Sequence, residues 1–315
     1  MKRTLGLTLL LFATLFSCMR QEKPLPAELS RAESVMWEHP DSALSILRSM
    51  PQSSLSIGKN YATWALLLAQ ARDKVYGKRL PDSLNIPSSD KLVQDAMDYF
   101  EKEGDLKRMA QTYYYKGQLL KDQKKITEAM PFFLKSKEMM TKLDEPLFTY
   151  LICQSLGNMY RYQDLYEESL VQLKDAYQYA LRSGNGERIS YALSELGRTY
   201  VHKNEMDSAL FYFGKSLDNA QRLGNIELEA MAMGELGVVY NKLSQGEKAL
   251  HYTRKELDLC LQISSLHKLP QVYYKIGSAF WSLGQLDSAK VYFQKSLETD
   301  NLYTLNEAYE VLYYT

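Results

Sequence analysis

Five glycines, Gly117, Gly157, Gly197, Gly237 and Gly277, stand forty residues apart without a slip. A fixed period of roughly 20 to 50 residues marks a repeat architecture, in which each unit buries its apolar face only against its neighbours. Other slots keep the same register. Twelve residues after each glycine come Ala129, Ser169, Ala209, Ala249 and Ala289, and four further on come Phe133, Leu173, Phe213, Thr253 and Phe293. Before each glycine stand Lys116, Leu156, Leu196, Leu236 and Ile276, and three after it Leu120, Tyr160, Tyr200, Tyr240 and Phe280. Small residues let two helix backbones approach, and large ones fill the groove beside them. The chain reads as all-α, with one helix hairpin written five times.

The stretch Tyr191 to Asn225 carries the pattern most completely, with Leu196-Gly197 and Tyr200 in a first helix and Ala209, Phe213 and Ser216 in a second. This order resembles the tetratricopeptide repeat, in the form found in lipoproteins of the Bacteroidetes, and the resemblance implies a right-handed α-solenoid. The common repeat is about 34 residues long; six more residues lengthen the two helices by up to about a turn each. The expected units are 107–146, 147–186, 187–226, 227–266 and 267–300. Upstream, 26–106 reads as two degenerate hairpins, built from about Pro26 to Trp37 with Pro40 to Leu47, and from Tyr61 to Val75 with Leu92 to Glu103. Between the last two, Leu80 to Asp90 has the prolines and serines of a loop. Residues 301–315 read as the first helix of a further, incomplete repeat, because a solenoid end requires a polar cap.

Local signals predict the helix ends. Asp207, Asp287 and Thr127 stand where a second-helix N-cap is expected, and Met206 with Phe211 and Leu286 with Val291 have the spacing of a hydrophobic staple. Gly104, Gly184 and Gly224 are expected at C′ positions, where φ is positive.

The N-terminus bears on the compartment. Lys2 and Arg3 precede an apolar run from Leu5 to Phe16, too short to span a membrane and of the form of a secretory signal, residues 1–17. Leu15-Phe16-Ser17-Cys18 resembles the bacterial lipobox, which implies that Cys18 becomes the lipidated mature N-terminus, followed by a linker, 18–25. Acyl chains anchor by burying methylenes. Met19 is not the aspartate that retains lipoproteins in the inner membrane of enteric bacteria, so the resemblance favours the outer membrane, with its periplasmic and surface faces both open.

Without Lys2 and Arg3 the basic residues fall from 38 to 36 against 38 acidic ones, a net charge of −2. With no basic run there is no electrostatic footprint for nucleic acid. His39, His202, His251 and His267 are scattered, and neither a catalytic constellation nor metal-ligand spacing appears, so no enzyme, metal or cofactor is expected. Gly214-Lys215-Ser216 imitates the tail of a phosphate-binding loop but falls inside a second helix, and the loop's first glycine would have to be Ala209. Cys153 occupies a slot filled elsewhere by Tyr113, Leu193, Met233 and Tyr273, which places it in the core.

In repeats of the resembled family the concave wall is built from the first helix, and its positions map here six and three before and one and four after the glycine. The middle ones are Tyr114, Gln118 and Lys121; Gln154, Asn158 and Arg161; Ser194 and Arg198; Val238 and Asn241; Tyr274, Ser278 and Trp281. Amides there fix an extended peptide backbone, Lys121, Arg161 and Arg198 hold a carboxylate or acidic side chain, and Tyr274 with Trp281 gives an apolar anchor. The expected function is a non-catalytic, lipid-anchored scaffold of the cell envelope binding a protein or peptide, its ligand acidic or with a free carboxylate. Two other readings compete: the extracytoplasmic sensor portion of a longer membrane-spanning regulator, and a glycan-capture lipoprotein. The unbroken register leaves no room for the long insertions of the latter.

Overall fold

The computed structural model describes residues 25–51, 55, 58–76 and 88–297. The signal segment, Cys18, most of the loop at 80–90 and the segment 301–315 lie outside them. Every regular element among the described residues is a helix: α1 (Ala27–Val35), α2 (Pro40–Ser49), α3 (Lys59–Tyr76), α4 (Ser89–Glu103), α5 (Leu106–Asp122), α6 (Ile126–Lys142), α7 (Pro146–Tyr162), α8 (Tyr166–Arg182), α9 (Gly186–His202), α10 (Met206–Leu223), α11 (Ile226–Lys242), α12 (Gly246–Gln262), α13 (Leu269–Ser282) and α14 (Leu286–Ser296). They pack as successive hairpins, the all-α solenoid of the sequence reading. None of the described helices is long and apolar enough to cross a membrane.

The chain divides into two compact units, 1–119 and 120–315. In the first, α1 packs on α2, α2 on α3 and α3 on α4. Helix α3 is covered on every side, with Leu66, Leu67 and Leu68 all buried in succession, as expected of a helix wrapped by partners rather than lying at a surface. The indole N–H of Trp64 donates to the carbonyl of Leu47 at 2.9 Å, tying α3 to α2.

In the second unit the most extensive contacts are within the pairs α7–α8, α9–α10, α11–α12 and α13–α14; the first members of these pairs, the A helices, also touch one another in turn. The recurring glycine explains how closely the pairs approach. A Cβ added at Gly197 would stand 2.6 Å from Cε1 of Phe213, and Gly157, Gly237 and Gly277 face Leu173, Thr253 and Phe293 in the same way. Each large residue therefore fills the notch its glycine leaves. Beside the notch, Tyr200 stacks on Tyr212 and Tyr240 on Tyr252, both with ring centroids 5.3 Å apart, a geometry that adds to simple burial.

The turns follow one rule. Residues with left-handed φ fall at 104, 124, 144, 164, 184, 204, 224, 244, 264 and 284. Only four of these are glycine; Lys124, Asp144, Asp164, Asn204, Ser244 and Ser264 take the conformation with a side chain attached. The residue after them commonly donates back to the carbonyl five earlier, as Glu205 does to Tyr200 at 2.9 Å and Gln245 to Tyr240 at 2.9 Å, which is Schellman-type closure. This closure corrects the expected caps. Helix α10 begins at Met206 with Glu205 at the N-cap and no side-chain bond, so Asp207, like Asp287 and Thr127, lies within the first turn. There an acid still favours the helix dipole. With the N-caps at Glu205 and Gln285, the N′ positions are Asn204 and Gly284, so Met206 with Phe211 and Leu286 with Val291 do not hold staple positions. Where the turn residue is glycine at 184 or 224, the following Asn185 or Asn225 caps the next helix by accepting from Arg188 or Leu228.

Candidate functional site

The positions read from the sequence as a ligand-facing wall divide into three kinds. Some are core. In the first unit Tyr114 is buried, its hydroxyl accepting from Gln118 at 2.9 Å and its ring edge-on to Tyr115. Ser194 in the second unit is buried too and bonds Ser216, which donates to the Ser190 carbonyl at 3.1 Å. That same Ser216 belongs to the glycine-lysine-serine triplet, which lies inside α10 as a packing element. Cys153 is likewise buried, and burial pushes its thiol up to about 11.

A second kind is ionic and already engaged. Arg161, on α7, is 7% exposed and donates to Glu195 Oε2 on α9 at 2.7 Å. The other oxygen of Glu195 takes Arg198 at 2.7 Å, and Arg198 also donates to Glu235 Oε1 on α11 at 2.7 Å. Burial works against the charge of Arg198, but the Glu235 and Glu195 carboxylates more than offset it and raise its pKa. Arg161 and Arg198, the cations expected to meet a ligand's carboxylate, thus meet this chain's own. The physical reason is the slot two before the glycine, Tyr115, Ser155, Glu195, Glu235 and Lys275, which lies one turn from the position after it and holds acids in the third and fourth copies. Glu195 and Glu235 are the sequence signal of this pairing, in a slot that points beside the wall positions and not along them.

The remaining positions form a third kind, mostly half-buried. Asn158 on α7 and Asn241 on α11 are half-buried, and the Oδ1 atom of each is buried without a hydrogen bond. Buried polar atoms are paired in the great majority of cases, and an orphan needs an explanation. Gln154, Lys121 and Val238 are half-buried. Toward the far end Tyr274 tilts over Phe293 at 5.7 Å between centroids, Ser278 returns its hydroxyl to the Tyr274 carbonyl at 3.0 Å, and Trp281 is 40% exposed. Among the described residues no cluster of histidine, cysteine and carboxylates could hold a metal.

The family model of the tetratricopeptide repeat matches residues 110–139 and 270–301. These are tetratricopeptide-like hairpins. Solved structures resemble the chain over most of its length: the apo form of RapI, at 15% identity over 91% of this chain and 81% of that one, with a TM-score of 0.72; a Rap protein complexed with competence and sporulation factor, at 13% over 91% and 86%, TM-score 0.66; and NprR in complex with its cognate peptide NprX, at 14% over 90% and 82%, TM-score 0.64. At such identities the likeness shows the tetratricopeptide-like fold. A comparison with curated protein sequences finds no match.

Proposed function

We propose that this chain is a non-catalytic binding scaffold that holds an extended peptide segment along its A helices. The observation that carries the reading is the pair of buried, unbonded amide oxygens on Asn158 and Asn241. Both lie on the A-helix lane, two repeats apart, and an amide that lacks a partner inside the fold is suited to a backbone N–H from outside it. The peptide-bound NprR, whose fold this chain shares, supports a peptide as the occupant. Trp281 supplies an exposed aromatic surface at the end of the lane, of the kind that anchors interfaces.

A photoreactive residue placed at Asn158, and another at the exposed Lys174 of α8, would test this in cells. Adducts from position 158 alone are expected; equal labelling from both would remove the lane from consideration. Asn158→Ala with Asn241→Ala is expected to weaken a captured peptide at least tenfold while the melting temperature stays unchanged.

The lipobox-like Leu15-Phe16-Ser17-Cys18 supports a second element of the proposal, a lipid anchor that holds the scaffold at the cell envelope, at the outer membrane. Cys18→Ser is expected to move the mature protein from the membrane to the soluble fraction. Retention in the membrane fraction would overturn the anchor.

A further inference from the structure

Helix α12 contributes one residue that the scaffold reading has not used. Glu256 is 6% exposed, and its Oε1 accepts from Lys275 of α13 at 2.7 Å. Its other oxygen, Oε2, is buried and makes no hydrogen bond. Among the described residues it is the only buried carboxylate oxygen in that condition. The pair lies directly against α11 at Gly234, where an added Cβ would fall 2.4 Å from both Glu256 Oε1 and Lys275 Nζ. Gly234 is three before the repeat glycine, the slot held by Gln154, Ser194 and Tyr274 in other copies. A missing side chain on the A-helix lane therefore makes room for a charged group from the helix behind it.

The charges around the pair decide what Glu256 can accept. Arg161, Arg198 and Lys275 supply three positive charges, and Glu195, Glu235 and Glu256 three negative ones, so these six groups sum to zero. Each cation has a carboxylate partner within 2.7 Å. From α7 to α13 the buried side-chain atoms without a hydrogen bond are all acceptors: Asn158 Oδ1, Asn241 Oδ1 and Glu256 Oε2. A carboxylate buried with half its lone pairs unbonded is costly, and a charged donor offsets that cost better than a neutral one.

We propose that Glu256 Oε2 anchors a basic group of the bound peptide, either its free α-amine or a lysine or arginine side chain. This deepens the scaffold reading and rests on it. It also runs against the sequence expectation of an acidic ligand, because Arg161 and Arg198, two of the three cations that would receive one, are paired with carboxylates within the chain.

The test uses the full chain and a positional-scanning library of synthetic hexapeptides, prepared with free and with acetylated N-termini. At least fivefold enrichment of lysine or arginine at one position identifies a side-chain donor; at least tenfold preference for the free over the acetylated library identifies the α-amine. Glu256→Gln is expected to reduce either preference to within twofold of none and leave preferences at other positions intact. The double variant Glu256→Gln, Lys275→Gln, which strands no charge, is expected to behave alike and serves if the single variant does not melt cooperatively. Lys275→Met, which leaves Glu256 without its internal partner, is expected to keep or strengthen the basic preference. Selected sequences with no basic preference in the wild type, with an acidic one, or with a basic preference that survives both glutamine variants would overturn the inference alone. Failure of the wild type to select any sequence would instead overturn the peptide-binding reading and this inference with it.

Discussion

Two ionic assemblies sit on neighbouring stretches of the same lane and differ in one respect. From α7 to α11, Arg161, Glu195, Arg198 and Glu235 form an alternating series in which both oxygens of Glu195 are bonded. On α12 and α13, Glu256 and Lys275 form a pair with one carboxylate oxygen left over. The series joins three A helices and is complete within the fold, whereas the pair joins two adjacent helices and is not. A buried charge network that closes on itself stabilises, or at least specifies, the packing of the elements it joins. One that remains open is where a ligand can be recognised. Charge on a binding face is thus a poor guide to its ligand until the internal partners are known.

The contrast predicts a hierarchy of effects. Glu195→Ala strands Arg161, 7% exposed, without its carboxylate, and is expected to destabilise the fold by about 3–5 kcal/mol, the range for breaking a buried pair. Urea denaturation gives the value; a loss below about 1 kcal/mol would mean the series is a surface ornament and the comparison has no force. Arg161→Glu would set two carboxylates together, so a loss of ligand binding in that variant would report on the fold as well as on the lane. Arg198→Met leaves Glu195 bonded to Arg161 and is expected to cost about 1–2 kcal/mol. Glu256→Gln removes an anion with an orphaned oxygen, and Lys275, whose side chain is 24% exposed, regains water. Its expected cost is under about 1 kcal/mol, smaller than either, while its effect on peptide selection is large. A thermal-shift ranking that placed Glu256→Gln above Glu195→Ala would reverse the assignment of structural and binding roles.

The smallest expected effect is one of pH. Burial pushes the Glu256 carboxyl above the usual range, against the pull of Lys275. The folded state therefore holds a proton that the unfolded state has released over the interval between the ordinary and the raised value. Within that interval this group makes the fold more stable as pH falls. The wild type minus Glu256→Gln difference in urea midpoint should grow in favour of the wild type on acidification from neutrality toward about pH 4.3, the ordinary glutamate value. A difference that is flat with pH would show that the carboxyl is not perturbed.

Much of the helical architecture was legible because glycine and its bulky counterpart recur in register, as Gly197 and Phe213 do. The turns were legible only in part. Glycine at 184 and 224 announced a left-handed residue, but Lys124, Asp144, Asp164 and the serines at 244 and 264 adopt the same φ with no such signal. Tertiary packing of the hairpin imposes the conformation there and overrides the residue's preference. Ser264→Gly should accordingly stabilise the fold by up to about 1 kcal/mol, measured as a shift in urea midpoint. The candidate wall was harder to read, because burial and pairing are properties of two helices at once. Ser194 and Tyr114 occupy wall positions by count and core positions by packing. Glu256 leaves no mark in the first-helix register, since it comes from a second helix and meets α11 across the space at Gly234.

The evenly spaced left-handed residues have an evolutionary consequence. Asn204 and Ser244 have φ of 63° and 56°, so excising residues 205–244 would join Asn204 to Gln245 across a junction of nearly the same backbone shape, with complete helices on either side. Any such seam tolerates recombination in whole hairpins, adding or deleting one cassette at a time. A lineage can in this way change the number of contact points offered to a partner without redesigning a single turn.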